Sequence, residues 1–269
     1  MSRYRQITLA DAWRMNAASN RIQGIRSPTG LPADDVLLGT WSSEAGTALL
    51  RPNGEAVAVG AATVTWANRP TNPSLYDQIF VTDIGPNGTQ FWWNGSRWKV
   101  LYPSVIGENG NIVTGVAQIA DQYLGAGFGP FPVGLLQVGD TFCYQFALGK
   151  DAALDTYGTA TSIRFGQNGT VVDVVIAGIN LSGVIVAASR AGPGFEKYFR
   201  VVSANTIRPI GVISAVSSFN GLSVGNTDAA TTVGIINITT TPWRIGVSTN
   251  MNAGTAAPQI TYQRLTLLP

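Results

Sequence analysis

The sequence predicts a mainly β protein with three parts: an N-terminal attachment segment that is helical or extended, a small β-hairpin module, and a C-terminal jelly-roll-like β-sandwich. Two observations predict this class. After residue 34, short runs of β-branched and aromatic residues alternate with turn residues, which is typical of sandwiches and jelly rolls. The composition agrees, because 31 of the 269 residues are glycine, 14 are proline and only 12% are charged, against roughly 25% charged residues in ordinary soluble domains.

Residues 1–50 form the predicted attachment segment, and one helix is expected within it. Thr8 can cap this helix and Gly24 can end it. Its stripe at spacings of three and four is only partly apolar and consists of Leu9, Ala12, Trp13, Asn16, Ala17 and Asn20. Arginines outnumber acidic residues here, which indicates a solvated or docking surface, with nucleic-acid contact as the alternative interpretation.

Residues 51–102 form the predicted small β module. Strands are expected within Ala56–Trp66 and over Gln78–Thr82. The strongest local signal is Asn94-Gly95 between two apolar runs, since this dipeptide favours the tight turn of a β-hairpin. The sequence therefore predicts a hairpin that carries several aromatic side chains.

Residues 103–132 are glycine-rich and are predicted to be a connector. The stretch GAGFGPFPVG has no following Lys-Ser/Thr pair and no helix, so it is not a phosphate-binding loop. Residues 133–269 are the predicted sandwich head. Its expected strands are Asp140–Leu148, Thr161–Phe165, Thr170–Ile176, Gly183–Ser189, Tyr198–Ser203, Ile207–Ser214, Thr231–Ile238, Trp243–Ser248 and Gln259–Leu267.

The composition also excludes several classes of chemistry. The chain has no histidine and one cysteine, which rules out a Ser-His-Asp triad, a His-ligated metal and an intramolecular disulfide framework. No catalytic residues, metal or cofactor are expected, and a net charge of +2 is too small for a nucleic-acid footprint over the whole chain. No run is apolar enough for a membrane helix, so no membrane insertion is expected.

Cys143 is expected to be a buried or half-buried thiol, and Asp151 and Asp155 are expected to lie in a solvated loop rather than to form a catalytic pair.

The hairpin aromatics are the most conspicuous candidates for a binding site. Trp92 and Trp93 are neighbours on one strand, so they point to opposite faces of the sheet, and an exposed indole can stack on a sugar while nearby polar groups bind its hydroxyls. The alternative interpretation is that the rings build the core of a small module. The candidate glycan-binding residues are Trp92, Trp93, Trp98, Asp83 and Asn94.

Two stretches carry a family resemblance. FVTDIGPNGTQFWWNGSRWKVL, at Phe80–Leu101, resembles a β module of bacteriophage tail-fibre proteins, and VGLLQVGDTF with the later SIRFG, within Val133–Thr170, resembles the start of their β-sandwich head. The resemblance implies a receptor-binding protein of the virion, made in the host cytoplasm. It implies a homotrimer whose N-terminal segment binds tail or baseplate proteins and whose distal part binds host surface polysaccharide or lipopolysaccharide.

Three other functions stay open at this stage. The chain fits a capsid decoration protein, head fibre or tail hub component with contacts only to virion proteins. It also fits a polysaccharide depolymerase whose acids meet between protomers. A bacterial lectin unrelated to phage is the third alternative.

Overall fold

The computed structural model describes residues 15–16, 21–22, 40–43, 46–50, 56–58, 62–75, 77–151, 155–181, 194–215, 225–226 and 233–269. In the described part of the chain, nearly all of the regular secondary structure is β-strand, which confirms the predicted mainly β class. Before the module, two small antiparallel sheets are formed, one by β1 and β2 and one by β3, β4 and β5. These strands are β1 (Met15–Asn16), β2 (Arg21–Ile22), β3 (Thr40–Ser43), β4 (Gly46–Leu50) and β5 (Ala56–Ala58).

The predicted N-terminal helix lies mostly outside the described residues. At the four described positions within residues 8–24, the structure has the antiparallel pair β1 and β2, with Met15 opposite Ile22, and the helix prediction is wrong there. The physical reason lies in the stripe, because Asn16 and Asn20 interrupt it and leave a helix little apolar surface to bury. The predicted strand at residues 183–189 also lies outside the described residues.

The hairpin module is a four-stranded sheet in the order β6-β7-β8-β9. Strand β6 runs parallel to β7, and the other two pairings are antiparallel. A short 3-10 helix, Trp66–Asn68, follows the first of these strands. The strands are β6 (Ala62–Val64), β7 (Gln78–Val81), β8 (Thr89–Trp93) and β9 (Trp98–Val100).

From residue 104 onward, the described residues form two sheets packed face to face, which confirms the predicted β-sandwich. One sheet has the order β10-β22-β14-β17-β18-β20, with β11 also paired to β22, and the other has the order β12-β21-β15-β16-β19, with β13 also paired to β21. The strands are β10 (Ser104–Asn109), β11 (Val113–Thr114), β12 (Gln122–Tyr123), β13 (Phe128–Phe131), β14 (Thr141–Lys150), β15 (Thr161–Gly166), β16 (Val174–Asn180), β17 (Gly194–Ser203), β18 (Thr206–Ala215), β19 (Gly225–Asn226), β20 (Val233–Gly234), β21 (Trp243–Thr249) and β22 (Pro258–Leu268).

Residues 103–132 are part of the sandwich, which corrects the prediction of a connector. They supply β10 and β11 to the seven-stranded sheet and β12 and β13 to the six-stranded sheet. Their glycines allow strands to pack closely against each other and do not form a flexible linker. A Cβ at Gly107 would lie 2.7 Å from the Phe128 ring, so only glycine lets β10 and β13 approach this closely.

The sandwich core is aromatic. Phe142 of the seven-stranded sheet lies 6.5 Å, between ring centroids, from Phe165 of the six-stranded sheet, and Phe165 stacks on Trp243 at 5.1 Å. All three side chains are buried. Alternation then directs the odd-numbered residues of β14 and the even-numbered residues of β17 to the outer face of the seven-stranded sheet.

Candidate binding surface

The predicted hairpin forms, with a four-residue connection between β8 and β9. Trp93 lies opposite Trp98, and the backbone N–H of Asn94 donates to the carbonyl of Arg97 at 3.1 Å. The Asn94 side chain is used inside this turn, since its Oδ1 accepts hydrogen bonds from the Ser96 N–H and hydroxyl at 3.0 Å and from the Arg97 N–H at 2.9 Å. Asn94 therefore shapes the hairpin and is not directed at a ligand.

The module core contains Trp98 and Trp93. This arrangement is the one described by the alternative interpretation, in which the aromatic rings build the core of a small module. Trp98 is buried, and its Nε1 donates to the carbonyl of Pro70 at 3.4 Å. Trp93 is half-buried and packs edge-on against Trp98 at 5.5 Å between centroids. Their rings stabilise the hairpin, so neither is placed to receive a sugar.

Asp83 supports the start of the short helix. Its Oδ1 accepts the backbone N–H of Trp66 at 2.7 Å, and the Trp66 indole N–H donates to the carbonyl of Val133 at 3.0 Å. Asp83 thus fixes a tryptophan that joins the module to the sandwich. The five predicted site residues do not converge, because Asp83, Asn94, Trp93 and Trp98 all have roles within the fold.

Trp92 lies on the opposite face of the module sheet from its neighbour, as alternation predicts. The register places Gln78 and Lys99 directly beside it, one on each adjacent strand, and Gln90 lies two residues before it on the same face. The Gln90 amide donates to the Gln78 Oε1 at 3.0 Å. We call these four residues, Gln78, Gln90, Trp92 and Lys99, the Trp92 face.

The polar members of the Trp92 face, Gln78, Gln90 and Lys99, are not among the predicted site residues. The strand register identifies them. Because Trp93 pairs with Trp98 in an antiparallel hairpin, Lys99 must lie opposite Trp92. Gln78 is exposed, and Gln90, Trp92 and Lys99 are half-buried. The face combines one indole with two amides and one cation, which are groups that bind the ring and the hydroxyls of a sugar.

The module is fastened to the sandwich by polar and close contacts. Arg97 forms an ion pair with Asp140 at 2.9 Å and donates to the Val138 carbonyl. Burial raises the pKa of Asp140, although the Gln137 N–H, Arg97 and Lys99 lower it. A Cβ at Gly85, where φ is +81°, would lie 2.4 Å from the carbonyl oxygen of Val105, so the module approaches β10 as closely as a backbone can. These contacts hold the Trp92 face at a defined position on the head.

The loop at Asp151 and Asp155 is buried in part, which corrects the prediction of a solvated loop. Lys150 is fully buried and Asp155 is 4% exposed, and the Lys150 ammonium donates to the main-chain carbonyl of Asp155 at 2.8 Å. The Asp155 carboxylate accepts backbone N–H groups from Ala253 at 2.9 Å and from Thr255 at 2.8 Å. Asp151 accepts the N–H of Ala257 at 2.8 Å.

These hydrogen bonds decide the charge state of Asp155. Burial acts to raise its pKa, but the N–H donors, with Ala253 and Thr255 first, lower it to about 2. A carboxylate held this firmly by its own chain is an anchor for residues 253–256.

Cys143 is buried on the outer side of β14, between Tyr198 and Thr266. Burial, followed by the charge of Glu196, raises the pKa of its thiol to about 12. The thiol is therefore protonated at neutral pH, as expected for a structural cysteine.

The part of the chain that the structure describes contains no group of three or more potential metal ligands. Within the same residues, no helix has the length and apolarity needed to cross a membrane. No protein-family model, curated protein or solved structure matches the chain.

Proposed function

We propose that the protein is a bacteriophage virion protein, a tail fibre or receptor-binding protein that attaches the particle to host surface polysaccharide or lipopolysaccharide. The observation that carries the proposal is the Trp92 face, in which an indole lies among polar side chains on the outside of a small sheet. The resemblance of Phe80–Leu101 to tail-fibre modules supports the virion context. N-terminal residues 1–50 would attach to tail or baseplate proteins.

The chemistry of the Trp92 face suits a sugar ring. An indole presents a flat apolar surface that packs on the C–H face of a pyranose, while amide groups both donate and accept hydrogen bonds with hydroxyls. Gln78 and Gln90 supply two such amides, already held to each other at 3.0 Å. Lys99 adds a cation for a ring substituent that carries negative charge.

The attachment of the module to the sandwich favours recognition by a prearranged surface. The Arg97–Asp140 ion pair and the Trp66–Val133 hydrogen bond fix the module, so little conformational entropy is lost when a ligand binds. A single sugar contact on a flat sheet is nevertheless weak. Several copies on one particle raise the overall avidity by orders of magnitude.

Self-association is part of the proposal, and β16 offers a surface for it. Four valines near the start of this strand are exposed: Val171 at 38%, Val172 at 74%, Val174 at 36% and Val175 at 37%. Val174 and Val175 point to opposite faces of the sheet, so the four side chains lie around one end of β16, and exposed apolar side chains that cluster mark interaction sites in soluble proteins. We assign them to contacts between copies in a homotrimer, with a closed cyclic arrangement.

Light scattering tests the assembly. We expect a mass near three times 28.3 kDa for the wild-type protein, and Val172→Asp is expected to lower it because the substitution places a charge in the contact. Thr170→Asp, at an exposed neighbouring position, is the matched control. A monomeric wild-type protein contradicts the trimer.

Adhesion tests the binding function. Labelled full-length protein is expected to bind a bacterial strain found by screening, and purified polysaccharide from that strain is expected to compete. Trp92→Ala should weaken each site about tenfold, as loss of a central aromatic contact does. Tyr102→Ala removes an aromatic ring that is 63% exposed and lies outside the Trp92 face, and it should bind like the wild type.

The valine surface also favours a second candidate, a capsid decoration protein, head fibre or tail hub component with contacts only to virion proteins. It would bind no bacterial cell, while virion proteins would retain it in a pull-down. A depolymerase would be recognised by release of reducing ends from the polysaccharide that competes for adhesion.

A further inference from the structure

Two arginines face each other on the outer surface of the seven-stranded sheet. Arg200 of β17 is directly opposite Arg208 of β18, and both side chains are exposed. Like charges in directly opposite positions repel each other and destabilise a strand pair. The sheet therefore keeps an arrangement that does not help its own folding.

Within the described residues, no acidic group forms an ion pair with either arginine. Neither guanidinium has an ion pair or hydrogen bond there. Glu196 lies on the same face of β17, but its carboxylate accepts a hydrogen bond from the Gln145 amide and interacts with Tyr198. The two guanidinium forks therefore present ten N–H donors to the outside with no acceptor among the described residues.

An aromatic and an aliphatic side chain border the arginines. Tyr198 lies directly opposite Ile210. This pair is next to the arginine pair on the same outer face of the sheet, and its side chains are 39% and 40% exposed. The hydrogen bond with Glu196, followed by the nearby Cys143, raises the pKa of Tyr198 to about 12. Its phenol is neutral, so it adds no negative charge beside the arginines. We call Tyr198, Arg200, Arg208 and Ile210 the arginine patch.

We infer that the arginine patch binds the anionic substituents of an acidic surface polysaccharide, which deepens and rests on the proposed function. Paired guanidinium groups match the planar oxygens of a carboxylate or phosphodiester. The Tyr198 ring beside them provides a surface for the sugar that carries the anion. Charge complementarity selects this occupant, because an anion placed between Arg200 and Arg208 removes their mutual repulsion.

The experiment measures binding of the full-length protein to polygalacturonate, which carries carboxylates, to its carboxyl-reduced neutral form, and to a wall teichoic acid, which carries phosphodiesters. Arg200→Gln/Arg208→Gln is compared with Gln167→Glu/Asn111→Asp. The second variant lowers the net charge by the same amount at exposed positions outside the patch. All measurements are made at about 50 and about 200 mM NaCl, since salt screens exposed charges.

We expect the arginine variant to bind the acidic polymer about tenfold more weakly at low salt, with the difference reduced at high salt. The control variant should bind like the wild type, and the carboxyl-reduced polymer should show no difference among the three proteins. Preference for polygalacturonate identifies carboxylate as the anion, and preference for teichoic acid identifies phosphate.

Three results overturn the inference. Wild-type protein that binds neither acidic polymer contradicts it, as does equal weakening by the arginine and control variants. A change in the solution mass of the arginine variant shows that the patch joins copies of the chain instead. If the arginine variant adheres to bacterial cells as well as the wild type does, the inference fails while the proposed function stands; if the wild type adheres to no cell, the proposed function itself fails.

Discussion

The loop around Asp155 and the Trp92 face use polar side chains in opposite ways. At Asp155, a buried carboxylate accepts hydrogen bonds from its own chain and holds residues 253–256 in place. On the Trp92 face, amides and a cation lie around an indole on the outside of a sheet. The comparison teaches that the same kind of polar side chain serves the fold where its partners are its own backbone N–H groups, as at Asp155, and is left for the proposed ligand where it borders an indole on a sheet face.

The largest expected effect is the loss of stability when the buried Asp155 carboxylate is removed. Asp155→Ala leaves the backbone N–H groups of Ala253 and Thr255 without their acceptor. It also removes the negative charge near the buried Lys150, which keeps its hydrogen bond to the main-chain carbonyl of residue 155. We expect a loss of about 3 kcal/mol or more in the free energy of unfolding, measured by urea denaturation. Asp155→Asn, which keeps one oxygen acceptor, should lose less; equal stability of the alanine variant and the wild type would contradict the anchor.

The same carboxylate predicts a pH dependence. Its pKa in the folded protein is about 2, below the ordinary value of 3.8, so folding favours the ionised form. The stability that this supplies is present above about pH 4 and is lost as the pH falls toward 2. Urea denaturation at a series of pH values should show this loss in the wild type and a smaller one in Asp155→Asn, and parallel curves would contradict it.

Trp92 and Trp93 allow the same comparison within one strand, because one ring lies on the outer face of the sheet and the other packs in the module core. Trp93→Ala removes a ring that packs on Trp98 at 5.5 Å, and we expect about 2 kcal/mol of destabilisation. Trp92→Ala, on the outer face, should cost less than about 1 kcal/mol because the ring is not in the core. Thermal unfolding of both variants measures the difference, and equal destabilisation would contradict the assignment of the two faces.

A small and local effect is expected at the joint between the module and the sandwich. Arg97→Ala removes the ion pair with Asp140 and should cost about 1 kcal/mol, as partly exposed pairs do. Hydrogen exchange should increase over Thr89–Val100 and stay unchanged in β14. An increase in hydrogen exchange of the same size throughout the molecule would show that Arg97 does not hold the module to the sandwich locally.

Much of the fold could be predicted from local sequence patterns. The runs at Thr161–Phe165 and Gln259–Leu267 correspond to β15 and β22 within two residues at each end, because alternation and β-branched residues are read directly from the chain. The glycine-rich residues 103–132 could not be predicted in this way. Their glycines serve packing against strands that are distant in sequence, as Gly107 does against Phe128.

The candidate site shows the same limit. Alternation places Trp92 and Trp93 on opposite faces, but it does not say which face is covered. That depends on Trp66 and Trp98, which bury one side of the sheet. The polar partners of Trp92 come from register with β7 and β9, and Asp155 becomes an anchor only when residues 253–256 fold over it. Contacts between segments far apart in the chain are absent from any local pattern.

The account depends most on binding at the outer sheet face. Its most direct test is calorimetric titration of the wild type, Trp92→Ala and Tyr102→Ala with purified polysaccharide from a strain to which the protein adheres. We predict binding by the wild type and Tyr102→Ala, and about tenfold weaker binding by Trp92→Ala. Equal affinity of all three proteins, or release of reducing ends during the titration, would contradict the account.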